Sequence, residues 1–142
     1  MTTENKAKLT YWAVTLPIVA TIMLAGIFLL AGVSANVEGI THLGYPAYLC
    51  KILGVAKFAG GLAIFYGRYK TLKEWAYAGY TFNLLGASAS HVFSGDGVIK
   101  ILIPIINLGF VLVSYWLWKT REETEKNNVA MSGFGFAVRH VE

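Results

Sequence analysis

The hydrophobic positions of this chain run together in four long blocks, at about 11–33, 47–67, 75–93 and 98–118. Each block is close to the roughly 20 residues that cross about 30 Å of hydrocarbon at about 1.5 Å per residue. Each therefore predicts a transmembrane helix. The connections are short: 41–46 closes the first, 68–72 makes the second, and 94–97 the third. Gly95 and Gly97 suit this last connection to a tight turn. Short connections force consecutive helices to run antiparallel. The expectation is an all-α chain, a four-transmembrane-helix up-down-up-down bundle over 1–119 with a tail at 120–142.

Composition agrees. Of the 142 residues, 56% are hydrophobic and 14% charged, and the mean hydropathy is +0.54, too little charge to cover a soluble domain of this length. The net charge of +4 does not read as a nucleic-acid surface, because the basic residues lie between apolar blocks. Lys6 and Lys8 precede the first block, Arg68, Lys70 and Lys73 join the second to the third, and Lys119, Arg121, Lys126 and Arg139 follow the fourth. The positive-inside rule then places both termini and the 68–72 connection in the cytoplasm of a multi-pass protein of the cell membrane. Tyr11, Trp12, Tyr66, Tyr69, Trp75, Trp116 and Trp118 mark the same cytoplasmic boundary, and Tyr45 and Tyr48 the outer one.

Val33-Ser34-Ala35 looks like a signal-peptide cleavage site, but the apolar run before it exceeds the roughly 7–15 residues of a signal core. The first block reads as a retained helix. The single cysteine, Cys50, excludes an intramolecular dithiol relay and reads as a small packing residue. Pro17 and Pro104 fall inside the first and fourth blocks and each removes a helical hydrogen bond.

Polar residues inside the hydrocarbon are costly, and here they cluster. Lys57, Asn83 and Asn107 lie about ten residues into the second, third and fourth blocks, so three helices place a polar side chain at roughly one depth. Cys50, Gly54, Lys57 and Gly61 follow helical spacing along one stripe, and Gly79, Asn83, Gly86 and Ser90 repeat it. Gly54, Gly61, Gly79 and Gly86 are thus candidate helix-packing positions. No acidic residue lies within the four blocks, so Lys57 lacks an obvious counterion. It is either structural glue between helices or part of a site for an anionic or electron-rich ligand. Lys51 and Lys100 are close enough to the outer boundary to reach it.

Glu38, His42, His91 and Asp96 gather near the outer ends of the blocks. No HxxxH, HxxE or CxxC spacing accompanies them, so no metal is expected. The tail is charged to Lys126 and then rich in Gly and Phe. It either extends the last helix, lies on the membrane, or is mobile.

From His42 to Asp96 the chain resembles the DoxX-like family of bacterial four-helix membrane proteins. The resemblance is carried by Leu43-Gly44-Tyr45-Pro46, by Leu53-Gly54-Val55-Ala56-Lys57 with Gly60-Gly61, by the segment from Lys73-Glu74-Trp75-Ala76-Tyr77-Ala78-Gly79 to Phe82, and by Gly86-Ala87, His91 and Gly95-Asp96. It implies a fold more than an activity. Relatives are linked to thiosulfate–quinone oxidation with a partner subunit, to redox complexes in oxidative stress, or to assembly of other membrane proteins. Three expectations follow. The first is a redox-associated membrane subunit holding a quinone or similar ligand, with Lys57 on a carbonyl oxygen, Asn83 and Asn107 orienting the ring, and His91 with Asp96 exchanging protons at the outer mouth. The second is a non-enzymatic scaffold or assembly factor, acting through a partner subunit or as a homo-oligomer. The third is a small transporter of anions or neutral solutes, since no carboxylate is buried to carry cations.

Overall fold

A computed structural model describes the backbone of residues 3–139 and the side chains of residues 5–131. The described chain is helical: α1 (Thr3–Ala31), α2 (Ser34–His42), α3 (Leu49–Tyr66), α4 (Lys70–Phe93) and α5 (Val98–Arg139). Among the described residues, three helices are long and apolar enough to cross a membrane, over Asn5–Ala31, Leu49–Tyr66 and Val98–Met131. α4 has the length, 24 residues, but Lys73, Glu74, Asn83, Ser88, Ser90 and His91 dilute its apolar content.

α1 packs against α3 and α5, and α4 packs against the same two, while the backbones of the diagonal pairs stay apart. The long helices therefore form a closed ring. The first connection, read from the sequence as a plain linker, contains the short helix α2, which rests on α1 and α3. It marks one end of the ring, called here the α2 end; the other is the tail end. α5 is 42 residues long, about 63 Å at the usual rise, roughly twice the thickness of hydrocarbon. The tail residues up to Arg139 extend the last helix.

Glycine stops two of the helices at the α2 end. Gly32 (φ 72°) follows α1, and Val33 N–H donates to Phe28 O at 3.1 Å while Gly32 N–H donates to Leu29 O at 3.2 Å. Gly95 (φ 70°) does the same after α4, with Asp96 N–H on His91 O at 3.0 Å. These are Schellman caps, whose left-handed residue is strained for anything but glycine. Lys51 adds to the first cap by donating its ammonium to Leu30 O, a cation on the negative end of a helix.

The α1–α3 seam rests on glycine. A Cβ on Gly26 would meet Gly54 O and Phe58 N at 3.0 Å, and a Cβ on Gly54 would meet Gly26 O at 3.0 Å. Gly61 lies against the side chain of Met23 of α1. Gly79 and Gly86 differ: a Cβ on either meets nothing within 4 Å. Spacing alone could not separate the two pairs, because α4 buries a different face, that of Lys73, Tyr77, Tyr80 and Ser88.

Candidate functional site

Lys57 stands midway along α3, where Gly54 and Gly61 have already brought α1 close. Its Nζ donates to Asn83 Oδ1 of α4 at 2.9 Å, and its main-chain carbonyl accepts the hydroxyl of Tyr80. Two of the three expected polar residues are therefore paired. An ammonium has three N–H donors, so two remain for something else. Among the described residues, no carboxylate pairs with Lys57.

Two cavities adjoin the pair, and Lys57 and Tyr80 line both. The first, called here the inner cavity, is about 540 Å³; it is lined from all four long helices and opens at the surface of the ring, where Pro17, Thr21, Asn107 and Phe110 of its wall are exposed. The second, about 360 Å³, is a groove between α3 and α4 containing Asn83, Gly79, Gly60 and Trp75. Asn107 thus faces the inner cavity and Asn83 the groove, with Lys57 between them. The Asn107 amide donates to Ile103 O at 2.9 Å, leaving its oxygen without a partner among the described residues. Pro17 has no N–H to give Ala13, and both residues lie on the cavity wall. An apolar wall with a few convergent polar groups is the usual make-up of a small-molecule pocket, and roughly 300–1,000 Å³ its usual size.

His91 does not join this site; it lines neither cavity. It belongs to a cluster at the α2 end centred on Asp96. His91 Nδ1 lies 2.8 Å from Asp96 Oδ2, His42 Nε2 3.0 Å from Oδ1, and Lys100 Nζ 2.9 Å from Oδ1. The hydrogen bond from His91, with those of Lys100 and His42, holds the Asp96 carboxyl well below the usual carboxylate range. His42 is the last residue of α2, so this cluster ties α2 to the α4–α5 turn. Glu38, grouped with it in the sequence reading, makes no ion pair among the described residues.

A third polar group, at the tail end, was not anticipated. Lys73, read as a surface topology charge, is only 4% exposed. Its Nζ donates to Tyr11 Oη at 2.8 Å and lies 4.9 Å from the Tyr11 ring and 4.6 Å from the Trp118 ring, within cation–π range. One turn deeper, Ser114 Oγ is 2.7 Å from Thr15 Oγ1 and 2.8 Å from Tyr77 Oη. A signal for this was present: Tyr11, Thr15 and Val19, then Lys73, Tyr77 and Tyr80, then Val111, Ser114 and Trp118 each follow helical three-and-four spacing. All nine are buried.

Long apolar helices ringed about a polar interior define a helical membrane protein. The model of the DoxX-like family matches residues 13–114, and the chain belongs to that family. The matched region runs from α1 into α5 and includes Lys57, Asn83 and Asn107. No curated protein and no solved structure matches the chain.

Proposed function

We propose that this chain is a redox-associated membrane subunit that holds a quinone or a similar electron-rich, lipid-soluble ligand in the inner cavity. The observation that supports this most is Lys57: a half-buried lysine, held by one neutral acceptor and lining a largely apolar cavity of about 540 Å³. In this reading Lys57 donates a remaining N–H to a ligand carbonyl oxygen. Tyr80 holds the backbone of Lys57 in place, and Asn107 orients the ring from α5. A bound quinone supplies the electron chemistry; the residues bind, orient and polarise it. His91 and Asp96 exchange protons only at the α2 end, away from the cavity wall.

The same proposal takes α4 as a fourth crossing, with both termini cytoplasmic and the chain in the cell membrane. Lys73, Tyr77, Tyr80 and Ser88 are buried within the ring, whereas Trp75, Phe82, Leu85, Val92 and Phe93 are exposed on α4. Two of the polar residues that lower its hydropathy, Lys73 and Ser88, thus need not meet lipid.

The test uses protein purified in mild detergent, wild type beside Lys57→Leu, with extraction of lipid-soluble cofactors and native mass spectrometry. Stoichiometric quinone in wild type and its loss in Lys57→Leu are the expected result. An empty wild-type protein, with a variant that folds equally well, sinks the proposal.

A second reading, a scaffold or assembly factor, draws on Gly79 and Gly86. Gly54 and Gly61 are used inside the chain, but these two glycines leave α4 open to close approach by another helix. A captured partner that is lost with Gly79→Leu and Gly86→Leu, and unaffected by Lys57→Leu, favours it.

A further inference from the structure

We infer that the tail end carries a site for a phospholipid with a zwitterionic, primary-amine headgroup, of the phosphatidylethanolamine type, in a cleft between α1 and α5. The cleft measures about 610 Å³, and Thr10 of α1 with Trp116, Thr120, Arg121, Glu125 and Asn128 of α5 lie in its wall. It shares no residue with the Lys57 cavities.

Its charges are matched to a dipolar group. Arg121 and Glu125 stand one helical turn apart, and Arg121 Nη2 reaches Glu125 Oε1 at 3.3 Å. The guanidinium lies over the Tyr11 ring, 5.2 Å from its centroid, and among the described residues most of its five donors are unused. A phosphate fits there, and an ammonium two carbons away falls beside Glu125. A headgroup with net negative charge has no ammonium of its own to set beside the Glu125 carboxylate.

The hydroxyls divide in the same way. Thr10 donates its proton to Lys6 O at 3.0 Å, and Thr124 donates to Thr120 O at 2.9 Å. Both are left with lone pairs, which suit an N–H donor. The side chains of Thr120 and Asn128 have no hydrogen-bond partner among the described residues and are free to donate to phosphate oxygen. A quaternary ammonium has no N–H to give, so a choline headgroup satisfies only half of the site. Trp116, 63% exposed, lies toward the membrane side of the cleft, where an interfacial indole packs on the first acyl carbons. The inference rests on the reading that this end of the bundle meets a membrane surface and does not depend on the quinone.

The experiment is native mass spectrometry of the full chain in detergent, with phosphatidylethanolamine, phosphatidylglycerol and phosphatidylcholine of the same acyl chains added singly, and O-phosphoethanolamine as a soluble probe. Wild type is expected to retain phosphatidylethanolamine best. Arg121→Gln and Thr120→Val each weaken that retention, Arg121→Gln by about tenfold, as expected for loss of a charge-assisted hydrogen bond. Glu125→Gln reverses the preference toward phosphatidylglycerol. Circular dichroism checks folding; if Arg121→Gln unfolds because it also leaves Tyr11, Thr120→Val and Glu125→Gln decide alone. Equal retention of the three lipids by wild type overturns the inference, as does a preference that survives both of those variants. Tight binding of O-phosphoethanolamine with no lipid preference overturns the lipid source. Membrane extraction of the same samples shows separately whether the chain is membrane-embedded.

Discussion

Gly26 and Gly54 meet backbone to backbone across the α1–α3 seam, each closed to a side chain by the other's carbonyl oxygen at 3.0 Å. This contact sets how near α1 comes to Lys57, whose own Cβ lies 3.2 Å from where a Gly26 Cβ would stand. Gly54→Ala must push backbone against backbone and is expected to destabilise the protein by about 1–3 kcal/mol, the usual cost of overpacking. Gly86→Ala, which meets open space in mid-helix, should be neutral or stabilise by up to about 1 kcal/mol, because alanine is the better helix former. Unfolding in mild detergent distinguishes the two, and equal effects would show that the seam is not glycine-dependent.

Lys57 and Asn83 should be energetically coupled. Lys57→Met leaves the Asn83 amide oxygen without its donor, and Asn83→Leu leaves a half-buried ammonium without its acceptor, whereas the double change removes both polar groups. A double-mutant cycle is expected to give a coupling of about 0.5–3 kcal/mol. Additive single changes would mean that the 2.9 Å contact contributes no net stability.

Tyr11→Phe tests the buried lysine at the tail end. It keeps the ring under Lys73 but removes the hydroxyl that accepts from Nζ. The expected loss is about 1–3 kcal/mol, the cost of a buried donor left unmade. Tyr66→Phe, on a 73% exposed residue, serves as the control and should change little. Matching melting curves for the two variants would contradict the burial of Lys73.

The Asp96 cluster predicts a pH dependence with a definite sign. Folding lowers the pKa of the Asp96 carboxyl, chiefly through His91 and then through Lys100 and His42. The stabilisation is therefore complete above about pH 4, the ordinary carboxyl value, and is lost as pH falls through the lower folded value. A carboxyl-carbon NMR titration should find Asp96 still ionised below about pH 4, where an ordinary carboxylate takes its proton. Asp96→Asn should raise amide exchange in α2 at neutral pH. Titration of Asp96 at the ordinary carboxyl value would refute the network.

Most of the helical plan was legible in the sequence because a bilayer imposes it. Apolar blocks of this length satisfy their backbone polar groups in hydrocarbon as helices, and the positions of Lys57, Asn83 and Asn107 along them follow from a fixed rise per residue. The resemblance at Leu43–Pro46 and from Lys73 to Phe82 pointed to the family that the match over residues 13–114 shows. That Lys57 would lack a carboxylate partner was readable too, since no acid lay within the blocks.

What periodicity cannot say is which face of a helix meets which neighbour. Gly54 and Gly86 sit in identical spacing, yet only the ring order of the helices decides that one is closed by Gly26 and the other left open. Lys73 looked like any loop cation, because its burial depends on Tyr11 and Trp118 arriving from helices far away in sequence. Asn83 and Asn107 share a depth with Lys57, but a depth is one coordinate. The angular positions of α4 and α5 around the ring send one to the groove and the other to the inner cavity. The pattern of apolar blocks determined that the chain belongs in a membrane and where its four long helices run, though not α2 or the length of α5; side-chain contacts between helices, set by packing, decided which of its polar residues share a site.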